Sequence, residues 1–535
     1  MNSELNSMDI HKQDALNSRK HEDARLRMHQ SGIFPSYDSD DSNDEEKDSA
    51  ERTHHYKVKY QDTFILDGTK VTAKSTAMNW KKFGLLERPN TTHELTIDGI
   101  NEFDTDHVYV SGMTKNVIAR VNKEDQTKQD IFHFPDYPKG RPAQPHTLRF
   151  SNVKSESNKG ILWVGLEEQG VIVKLDMNEL LKTHSCMGNN KTVELSRDDY
   201  KDILDVHIPK CDAIPTPINT RPHGFCFDVD AKWIWFTGKL TNTVGRILVE
   251  GDGAGDGDGR KHHIVEHFGL PTLGAVPIYV ALGPDNNIWG TCLYSSKIFR
   301  VTTEQNIHRD EHSPTFIPRV HEIPISAFAE TKRPITIKSD PRSVNDPHNQ
   351  FHFMWFTNEA SHSVCRLDVN AFEKVFNNDA NTKGQCVCSI ACKLMFNMDE
   401  KTVKKIIHEF QVPKFNSNMK LGGLDMSNNG TLWVQSHMEP TKNDYNLPDY
   451  IIRIQNVPDF ENRVEYNLTG LAVDYFKLPA RNTVLHRIIV DPQEPTRVWF
   501  TEMQQDRIGT ITAAEEKSNG KNDGGNKKRS AEFLS

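Results

Sequence analysis

The chain has 535 residues, a formal net charge of −9 and a hydrophobic fraction of 36%. Its mean hydropathy of −0.64 and its lack of a long apolar run argue against a membrane span, and its acidic, mixed charge offers no footprint for nucleic acid. Eight scattered cysteines favour a reducing compartment. Because residues 1–20 also lack the apolar core of a signal peptide, we expect a cytoplasmic protein, and a monomer.

The two ends of the chain differ in composition from the middle. Residues 1–55 are polar and contain the acidic run DSDDSNDEE at Asp38–Glu46, and residues 515–535 are rich in Lys, Asn and Gly. Segments with so few apolar residues cannot bury enough surface to offset the entropy of ordering them. We therefore predict disordered tails at 1–55 and 515–535, around a folded region at 56–514.

A repeat dominates the folded region. Its clearest copy, Arg221–Ile247 (RPHGFCFDVDAKWIWFTGKLTNTVGRI), reads as three short strands separated by turns. The last two of these strands recur seven times, once with an insertion, and the copies begin at Tyr109, Trp163, Trp235, Trp289, Trp355, Trp433 and Trp499. One such unit cannot bury its own apolar faces, so the copies are expected to pack side by side with the tryptophans in the core.

A further apolar strand that ends in proline follows six of the seven copies. The prolines are Pro135, Pro209, Pro271, Pro324, Pro413 and Pro479. A terminal proline suits an outer strand, because the edge has no further ladder to feed. The count predicts an all-β fold: a seven-bladed β-propeller of four-stranded antiparallel blades. An N-terminal strand within Tyr56–Val71 is expected to supply the missing outer strand of blade seven and close the ring.

Four long insertions separate the third and fourth strands of blades two to five: Met177–Tyr200, Glu250–Lys261, Thr302–Phe316 and Asn370–Val403. Because strand direction alternates in a blade, these insertions share one rim, here called the insertion rim. The starts of the first strands and the ends of the second strands share the other, the motif rim. Propellers commonly hold their sites near the channel. We expect a small-molecule or peptide ligand at the channel mouth on the motif rim, and a protein partner on the insertion rim.

The motif P-H-G-I followed by W-F-T-E-x-x-x-N-x-I-G-R-I resembles that of the virginiamycin B lyase family, the streptogramin B lyases. Arg221–Phe225 with Trp235–Ile247, Gln144–Thr147 and Trp499–Gly509 carry the resemblance. It implies a seven-bladed propeller and a lyase that opens a cyclic depsipeptide at its ester without water. It also implies a general base that removes the proton α to the carbonyl, and a Mg²⁺ ion that holds the ester.

The resemblance also implies where the catalytic side chains lie. The histidine of P-H-G-I corresponds to His146 and His223 on adjacent blades, with His486 as a third candidate. A base that titrates near neutrality suits the reaction, which favours histidine. Around the ring, this motif position is occupied by Asp98, His146, His223, Ile278, Ile335, Gly422 and His486, so the polar members form one arc and the remaining arc is apolar.

The resemblance further implies carboxylates beside a Mg²⁺ ion, since Mg²⁺ prefers oxygen ligands. Glu502 keeps the glutamate of W-F-T-E, and Glu168 and Asp98 are the other expected metal-side residues. The pattern also departs from the family, because Gly238 and Asn358 stand at the glutamate position of blades three and five. Other glutamates near this position are Glu167, Glu359 and Glu439.

Alternative interpretations remain open at this stage. The histidines could cap turns or hydrogen-bond a neighbouring blade, and the whole chain could be a non-catalytic propeller that binds a protein or peptide. The thiols Cys386, Cys388 and Cys392 could bind a soft metal but lack a fourth ligand. The run Gly251–Arg260 resembles a calcium loop without its closing glutamate, so a flexible connection is expected.

Overall fold

The computed structural model describes the folded region of the chain with interruptions. The described residues are 56–64, 92–99, 102–137, 140–152, 159–186, 190–208, 217–250, 263–303, 318–325, 332–348, 350–378, 400–414, 417–438, 448–455, 473–481 and 483–515. The predicted tail at 1–55, nearly all of the tail at 515–535, the three clustered cysteines and the Gly251–Arg260 run lie outside these residues.

The strands form seven sheets, and the four strands of each blade pair antiparallel in the predicted order. Blade one contains β2 (Thr92–Thr96), β3 (His107–Gly112), β4 (Val117–Asn122) and β5 (Gln129–His133), and blade two contains β6 (Pro145–Phe150), β7 (Ile161–Leu166), β8 (Val171–Asp176) and β10 (Tyr200–Asp205). Blade three contains β11 (Pro222–Phe227), β12 (Trp233–Gly238), β13 (Thr243–Leu248) and β14 (Val265–Gly269), and blade four contains β15 (Pro277–Leu282), β16 (Ile288–Cys292), β17 (Lys297–Val301) and β18 (Val320–Pro324). Blade five contains β19 (Pro334–Ser339), β20 (Phe353–Asn358), β21 (Ser363–Asp368) and β22 (Ile407–Gln411), and blade six contains β23 (Met419–Met426), β24 (Leu432–Met438), β25 (Pro448–Ile454) and β26 (Val473–Arg481).

Blade seven closes the ring in the way the sequence predicts. It contains β27 (Leu485–Val490), β28 (Arg497–Glu502) and β29 (Arg507–Glu515), and its outer strand is the N-terminal β1 (Tyr56–Phe64). The two strands pair antiparallel over their full length, from Tyr56 opposite Glu515 to Phe64 opposite Arg507. The first strands of the seven blades contact one another in cyclic order, from β2 through β27 and back to β2. The architecture is therefore a closed seven-bladed β-propeller whose first strands surround the central channel.

Blade one differs from the prediction because it has a fifth strand. Within the first insertion, β9 (Thr192–Glu194) pairs parallel to the outer strand β5. An outer strand presents unpaired backbone groups, and the insertion covers them. The outer strand of blade two also ends earlier than expected, at Asp205 rather than at Pro209.

The tryptophan at the start of the repeat forms the core of each blade from two to seven. Trp163, Trp235, Trp289, Trp355, Trp433 and Trp499 are at most 1% exposed, as the sequence predicts. In several blades the indole nitrogen donates to an acidic side chain after the first strand, for example from Trp289 Nε1 to Asp285 Oδ1 at 2.9 Å. These aromatic side chains fill the space between adjacent sheets, which fixes the angle at which neighbouring blades meet.

The insertions contain helices that pack onto the blades. Helix α1 (Met177–Thr183) follows β8, and helices α2 (Val369–Asn378) and α3 (Glu400–Ile406) lie between β21 and β22. Phe372 of α2 is fully buried, and its ring centroid lies 5.3 Å from that of Trp289 in blade four. None of the helices within the described ranges has the length and apolar character that a membrane crossing requires.

Candidate functional site

Every first strand is irregular where it begins, on the motif rim. The pairing with the second strand shifts after Thr92, Pro145, Pro222, Pro277, Pro334, Leu421 and Leu485. Such a bulge leaves backbone groups of the first strand without a partner in the ladder and re-aims the side chains. In blades two to seven, the residue after each of these positions is the one that the sequence alignment places at the motif histidine.

A hydroxyl group of the second strand accepts a hydrogen bond from a backbone amide in the bulge and donates one to a carbonyl oxygen of the next blade. Thr501 Oγ1 accepts a hydrogen bond from Arg487 N at 3.0 Å and donates to His93 O in the next blade at 3.1 Å. Ser111 Oγ does the same, since it accepts from Glu94 N at 2.9 Å and donates to His146 O at 3.0 Å. The threonine of W-F-T and its serine counterpart thus fix the backbone of two motif histidines.

Four histidines meet at the channel on this rim and form the histidine arc: the half-buried His486 and the buried His93, His146 and His223, from blades seven, one, two and three. The ring centroids of His93 and His146 are 3.7 Å apart, those of His146 and His223 are 3.8 Å apart, and His486 lies 4.1 Å from His93. His93, His146 and His223 are 5%, 2% and 6% exposed. Three of the four, His146, His223 and His486, are the histidines that the sequence singles out.

The fourth histidine corrects the alignment of blade one. Thr92 pairs with Gly112 as Pro222 pairs with Gly238, so the motif position in this blade is His93 and not Asp98. Asp98 lies beyond the end of β2, where its carboxylate accepts a hydrogen bond from Phe103 N at 3.2 Å. The sequence misleads because Thr92 replaces the proline and the connection between β2 and β3 is longer than its counterpart in blade three.

The carboxylate nearest to the histidine arc is Glu167 rather than Glu168. Glu167 is 2% exposed, its Oε2 lies 3.8 Å from His146 Nε2, and its Oε1 lies 3.1 Å from Lys239 Nζ. Burial acts to raise the pKa of Glu167, but Lys239 and the neighbouring His223 and Arg221 outweigh it and hold the pKa below its ordinary value. Glu168 turns away and pairs with Arg221 at 2.5 Å.

The expected metal-side residue Glu502 lies inside blade seven. It is fully buried at the end of β28, opposite Leu485 and Arg507. Its Oε1 atom lies against Gly509 of the third strand, where a Cβ would approach it to 3.0 Å. The structure therefore separates Glu502, Glu168 and Asp98 from one another instead of bringing them to one metal site.

Charge pairs surround the histidine arc. Arg487, beside His486, pairs with Glu94, beside His93, at 3.3 Å, and Lys239 pairs with Glu167 on the other side. Burial is the main cause that lowers the pKa of His93, His146 and His223 well below the ordinary histidine value, and the positive charge of Arg487 adds to it in all three. The three imidazoles are therefore neutral at physiological pH, and the expectation of a base whose pKa lies near neutrality is wrong for His146 and His223, because burial lowers the pKa of both.

The rest of the channel mouth is apolar, as the sequence predicts. Ile278, Leu293 and Ile335 form a buried cluster with Val276 packed against it, and we call these four residues the apolar arc. Ile278 and Ile335 hold the motif position in blades four and five. The channel mouth thus has a polar side, formed by the histidine arc, and an aliphatic side, formed by the apolar arc.

The donors at this site do not suit the Mg²⁺ ion that the resemblance implies. Mg²⁺ prefers oxygen ligands in near-octahedral geometry, but the side chains that converge are imidazoles. The carboxylates closest to them, Glu167 and Glu94, are each paired with a buried or half-buried cation, Lys239 and Arg487. A divalent cation bound to Glu167 would lie beside the positive charge of Lys239, and one bound to Glu94 would lie beside that of Arg487. The residues present therefore do not fit a Mg²⁺ ion.

No protein-family model and no curated protein sequence matches the chain. Among solved structures, virginiamycin B lyase from Staphylococcus aureus is similar at 17% identity with a TM-score of 0.47, over 85% of this chain and 99% of that chain. A streptogramin B lyase is similar at 16% identity with a TM-score of 0.48, over 85% and 98%. Hydrazine synthase of Kuenenia stuttgartiensis is similar at 10% identity with a TM-score of 0.44, over 82% and 99%. A fold does not by itself determine a function, so the function has to be argued from the site.

The fold and the site together define a seven-bladed propeller with a histidine-lined channel mouth. In the described part of the chain, the potential metal ligands that converge in a group of three are His93, His146 and His223. Alignment of the repeat does not find His93, and it gives Glu167 only as a glutamate near the W-F-T-E position. Two features of the sequence could have identified His93: the strand pattern THELT at Thr92–Thr96, and the aromatic Tyr109 in the strand that follows.

Proposed function

We propose that the protein is a carbon–oxygen lyase that opens the ester of a cyclic depsipeptide by elimination, with His223 as the general base. One observation carries the assignment of the base. His223 Nδ1 lies 2.6 Å from Ile278 O and donates to it, because a carbonyl oxygen can only accept. This hydrogen bond fixes the tautomer, so Nε2 keeps its lone pair and is the basic nitrogen.

The hydrogen bond from His223 to Ile278 O in the next blade holds the imidazole in the orientation that a general base needs. A contact of this kind could be purely structural, as the sequence alone allowed. Here it also orients the ring, since the imidazole cannot flip without leaving Ile278 O without its donor in a buried place. The other side chains of the histidine arc exclude water on one side of the ring. The geometry is therefore that of a base whose partner nitrogen is held by a second group.

The elimination needs a base and a place for the leaving group. His223 Nε2 takes the proton from the carbon α to a carbonyl, the electron pair forms a carbon–carbon double bond, and the bond from the β carbon to the ester oxygen breaks. The leaving group is a carboxylate, and no water is consumed. Lys239 and Arg221 are half-buried cations on the same rim, and their pairing with Glu167 and Glu168 holds them in place before the substrate arrives. They are positioned to stabilise the negative charge of the departing carboxylate.

The apolar arc supports a substrate with a large aliphatic or aromatic body. Ile278, Ile335 and Leu293 face the histidine arc across the motif rim, and Leu273 in the loop before β15 is 85% exposed. Apolar surface of this kind contributes about 25 cal/mol for each Å² that a ligand covers. A macrocycle that combines apolar side chains with one ester fits this division better than a small polar substrate does.

The test is to incubate the full chain, after treatment with EDTA, with a streptogramin B depsipeptide and to follow ring opening by mass spectrometry. The wild-type protein is expected to open the ring, and His223→Gln is expected to slow opening about 100-fold or more. His348→Gln is the matched control, because His348 is an exposed histidine in the loop between β19 and β20. If His223→Gln and His348→Gln react equally fast, His223 is not the base.

A second function, protein or peptide binding, is favoured by the placement of the insertions. Helices α1, α2 and α3 all emerge between third and fourth strands, on the rim opposite the histidine arc. A partner bound there would not compete with a ligand at the channel mouth. Pull-down of a partner that is unaffected by His223→Gln, together with an intact depsipeptide after prolonged incubation, would favour this function over the lyase.

A further inference from the structure

The three histidines that converge most closely can act together as ligands. We propose that His93, His146 and His223 bind one divalent transition-metal ion of the Zn²⁺ type, with a fourth position left for water or another ligand. This inference rests on the same site as the proposed lyase, but it goes beyond that function because the elimination does not require the ion. Bound metal would occupy the lone pair of His223 Nε2, so we infer that it inhibits the lyase.

The spacing of the imidazoles carries the proposal. One ligand nitrogen from each of the three side chains lies within 4.8 Å of the other two. In a tetrahedral site with zinc–nitrogen bonds of about 2.0 to 2.1 Å, ligand nitrogens are roughly 3.4 Å apart. Modest rotation of the rings would close that difference. Three histidines with an open fourth position are a donor set that zinc accepts and that Mg²⁺ does not favour.

His93 provides a second, independent observation. Its side chain is 5% exposed, and its Nδ1 atom has no hydrogen-bond partner among the described residues. Burying a polar nitrogen without a partner is unfavourable, and a metal ion or another ligand would supply the missing contact. Its backbone is held in place, since His93 O accepts the hydrogen bond from Thr501. The backbone of His93 is therefore fixed, while its ring carries an unused nitrogen and can still rotate about its side-chain bonds.

The surroundings of His223 resemble those of a metal-bound histidine, and His146 has a carboxylate nearby. A ligating imidazole usually donates its second nitrogen to a carbonyl or carboxylate, which orients the ring. His223 Nδ1 donates to Ile278 O at 2.6 Å, which leaves Nε2 for the ion. Glu167 Oε2 lies 3.8 Å from His146 Nε2, close enough to offset part of the added charge.

The nearby positive charges weaken the affinity of the site for a metal ion but do not prevent binding. Lys239 and Arg487 are the positive groups beside the arc, and each is already paired with a buried carboxylate, Glu167 and Glu94. The two ion pairs are close to neutral overall, so the ion meets little net positive charge. This balance distinguishes the all-nitrogen site from a Mg²⁺ site, which would need to take those carboxylates away from their cations.

The experiment titrates the EDTA-treated and dialysed full chain with Zn²⁺ in a calorimeter, with no depsipeptide present. Wild type is expected to bind one equivalent tightly, and His93→Gln and His146→Gln are each expected to weaken that step by about 100-fold. His348→Gln is the control for exposed histidines, of which a chain with 24 histidines has several. Unchanged tight binding in both His93→Gln and His146→Gln would overturn the proposal, and so would the lack of a tight step in wild type.

A second measurement covers the case in which the variants fold poorly. Co²⁺ in place of Zn²⁺ gives visible absorption bands whose intensity reports a four-coordinate site with nitrogen ligands. Wild type is expected to show these bands at one equivalent, and their absence would contradict the site. Both measurements omit the depsipeptide, and the lyase assay is run in EDTA. A negative result for metal binding therefore leaves the lyase proposal intact, and a negative lyase assay leaves the metal site intact. If both proposals hold, Zn²⁺ at one equivalent abolishes ring opening and EDTA restores it.

Discussion

Arg487 Nε lies 3.3 Å from Glu94 Oε2, and both side chains are buried where the last blade meets the first. The two residues are 393 positions apart in the chain, so this pair belongs to the closure of the ring and not to a single blade. Thr501 makes a second link across the same join through His93 O. Closure of the propeller therefore also sets the position of His93 beside His486.

Removing one member of this buried pair should cost much more than removing a surface pair. Glu94→Gln leaves Arg487 buried without its counter-charge, and we expect unfolding free energy to fall by about 3 to 5 kcal/mol. The double variant Glu94→Leu with Arg487→Met should recover much of that loss, because no unpaired charge remains. Urea unfolding of the three proteins measures both effects.

The control for this prediction is the exposed pair of Lys128 with Asp125, at 56% and 44% side-chain exposure. Exposed pairs contribute little to stability, so Lys128→Met is expected to leave stability nearly unchanged. A Glu94→Gln protein that is as stable as Lys128→Met would contradict the importance of the buried pair for ring closure.

The N-terminal strand makes a separate prediction about closure. β1 (Tyr56–Phe64) pairs with β29 along its whole length, whereas residues 1–55 lie outside the described ranges. Truncation of about the first 50 residues should leave the melting temperature unchanged, and truncation of about the first 75 should lower it and promote aggregation, because the edge of β29 is exposed. Equal melting of the two truncated proteins would show that β1 does not close the ring.

The hydroxyl link to His93 can be tested without changing side-chain volume. Thr501→Val removes the partner of both Arg487 N and His93 O in a fully buried place, and we expect a loss of about 1 to 3 kcal/mol in stability. Thr501→Ser keeps the hydroxyl and should lose less. Hydrogen exchange of the Arg487 amide, slow in Thr501→Ser and faster in Thr501→Val, checks the mechanism. Equal exchange in the two variants would mean that the link is not formed.

The architecture could be predicted from sequence because it rests on repeated local signals. Each copy carries its tryptophan, its turn and its third strand, so the blade count and the outer strand supplied by the N-terminus follow from counting. The insertions could be placed for the same reason. The fifth strand β9 could not be predicted, because three residues of an insertion carry too weak a pattern to show which edge they join.

The site was harder to predict because it depends on register and on side-chain direction. His146, His223 and His486 follow from the motif, but His93 is hidden by Thr92 in place of proline and by the long connection after β2. Glu167 and Glu168 are adjacent in sequence but contact different residues. Glu167 lies beside His146 and Lys239, whereas Glu168 pairs with Arg221. Both glutamates lie in the turn that follows β7, so the backbone path of that turn decides which of the two reaches the channel.

The pH dependence of stability should carry the signature of two buried histidines outside the channel. Burial lowers the pKa of His321 and of His362 to about 4. A histidine whose pKa is lower in the folded than in the unfolded state contributes stability that is complete above pH 6.5 and is lost as pH falls towards 4. Each group is expected to account for roughly 3 kcal/mol of that loss.

His362→Asn tests this dependence with little change of backbone. His362 has a positive φ of 51°, and asparagine occupies the corresponding turn position in blades one and three, where Asn116 and Asn242 both have φ of 57°. The variant should therefore fold, and its stability should fall less steeply between pH 6.5 and pH 4 than that of wild type. Parallel curves for wild type and His362→Asn would contradict the assignment of His362 to this transition.

The most direct test of the lyase is to run the reaction on the EDTA-treated protein in water labelled with oxygen-18, using a depsipeptide that carries deuterium at the α carbon. Elimination predicts a ring-opened product of unchanged oxygen mass that has lost the deuterium, with a slower rate for the deuterated substrate. The same product should form about 100-fold more slowly with His223→Gln. Incorporation of one oxygen-18 with the deuterium retained would show hydrolysis, and an intact ring after prolonged incubation would show no reaction. Either result contradicts a lyase built on His223.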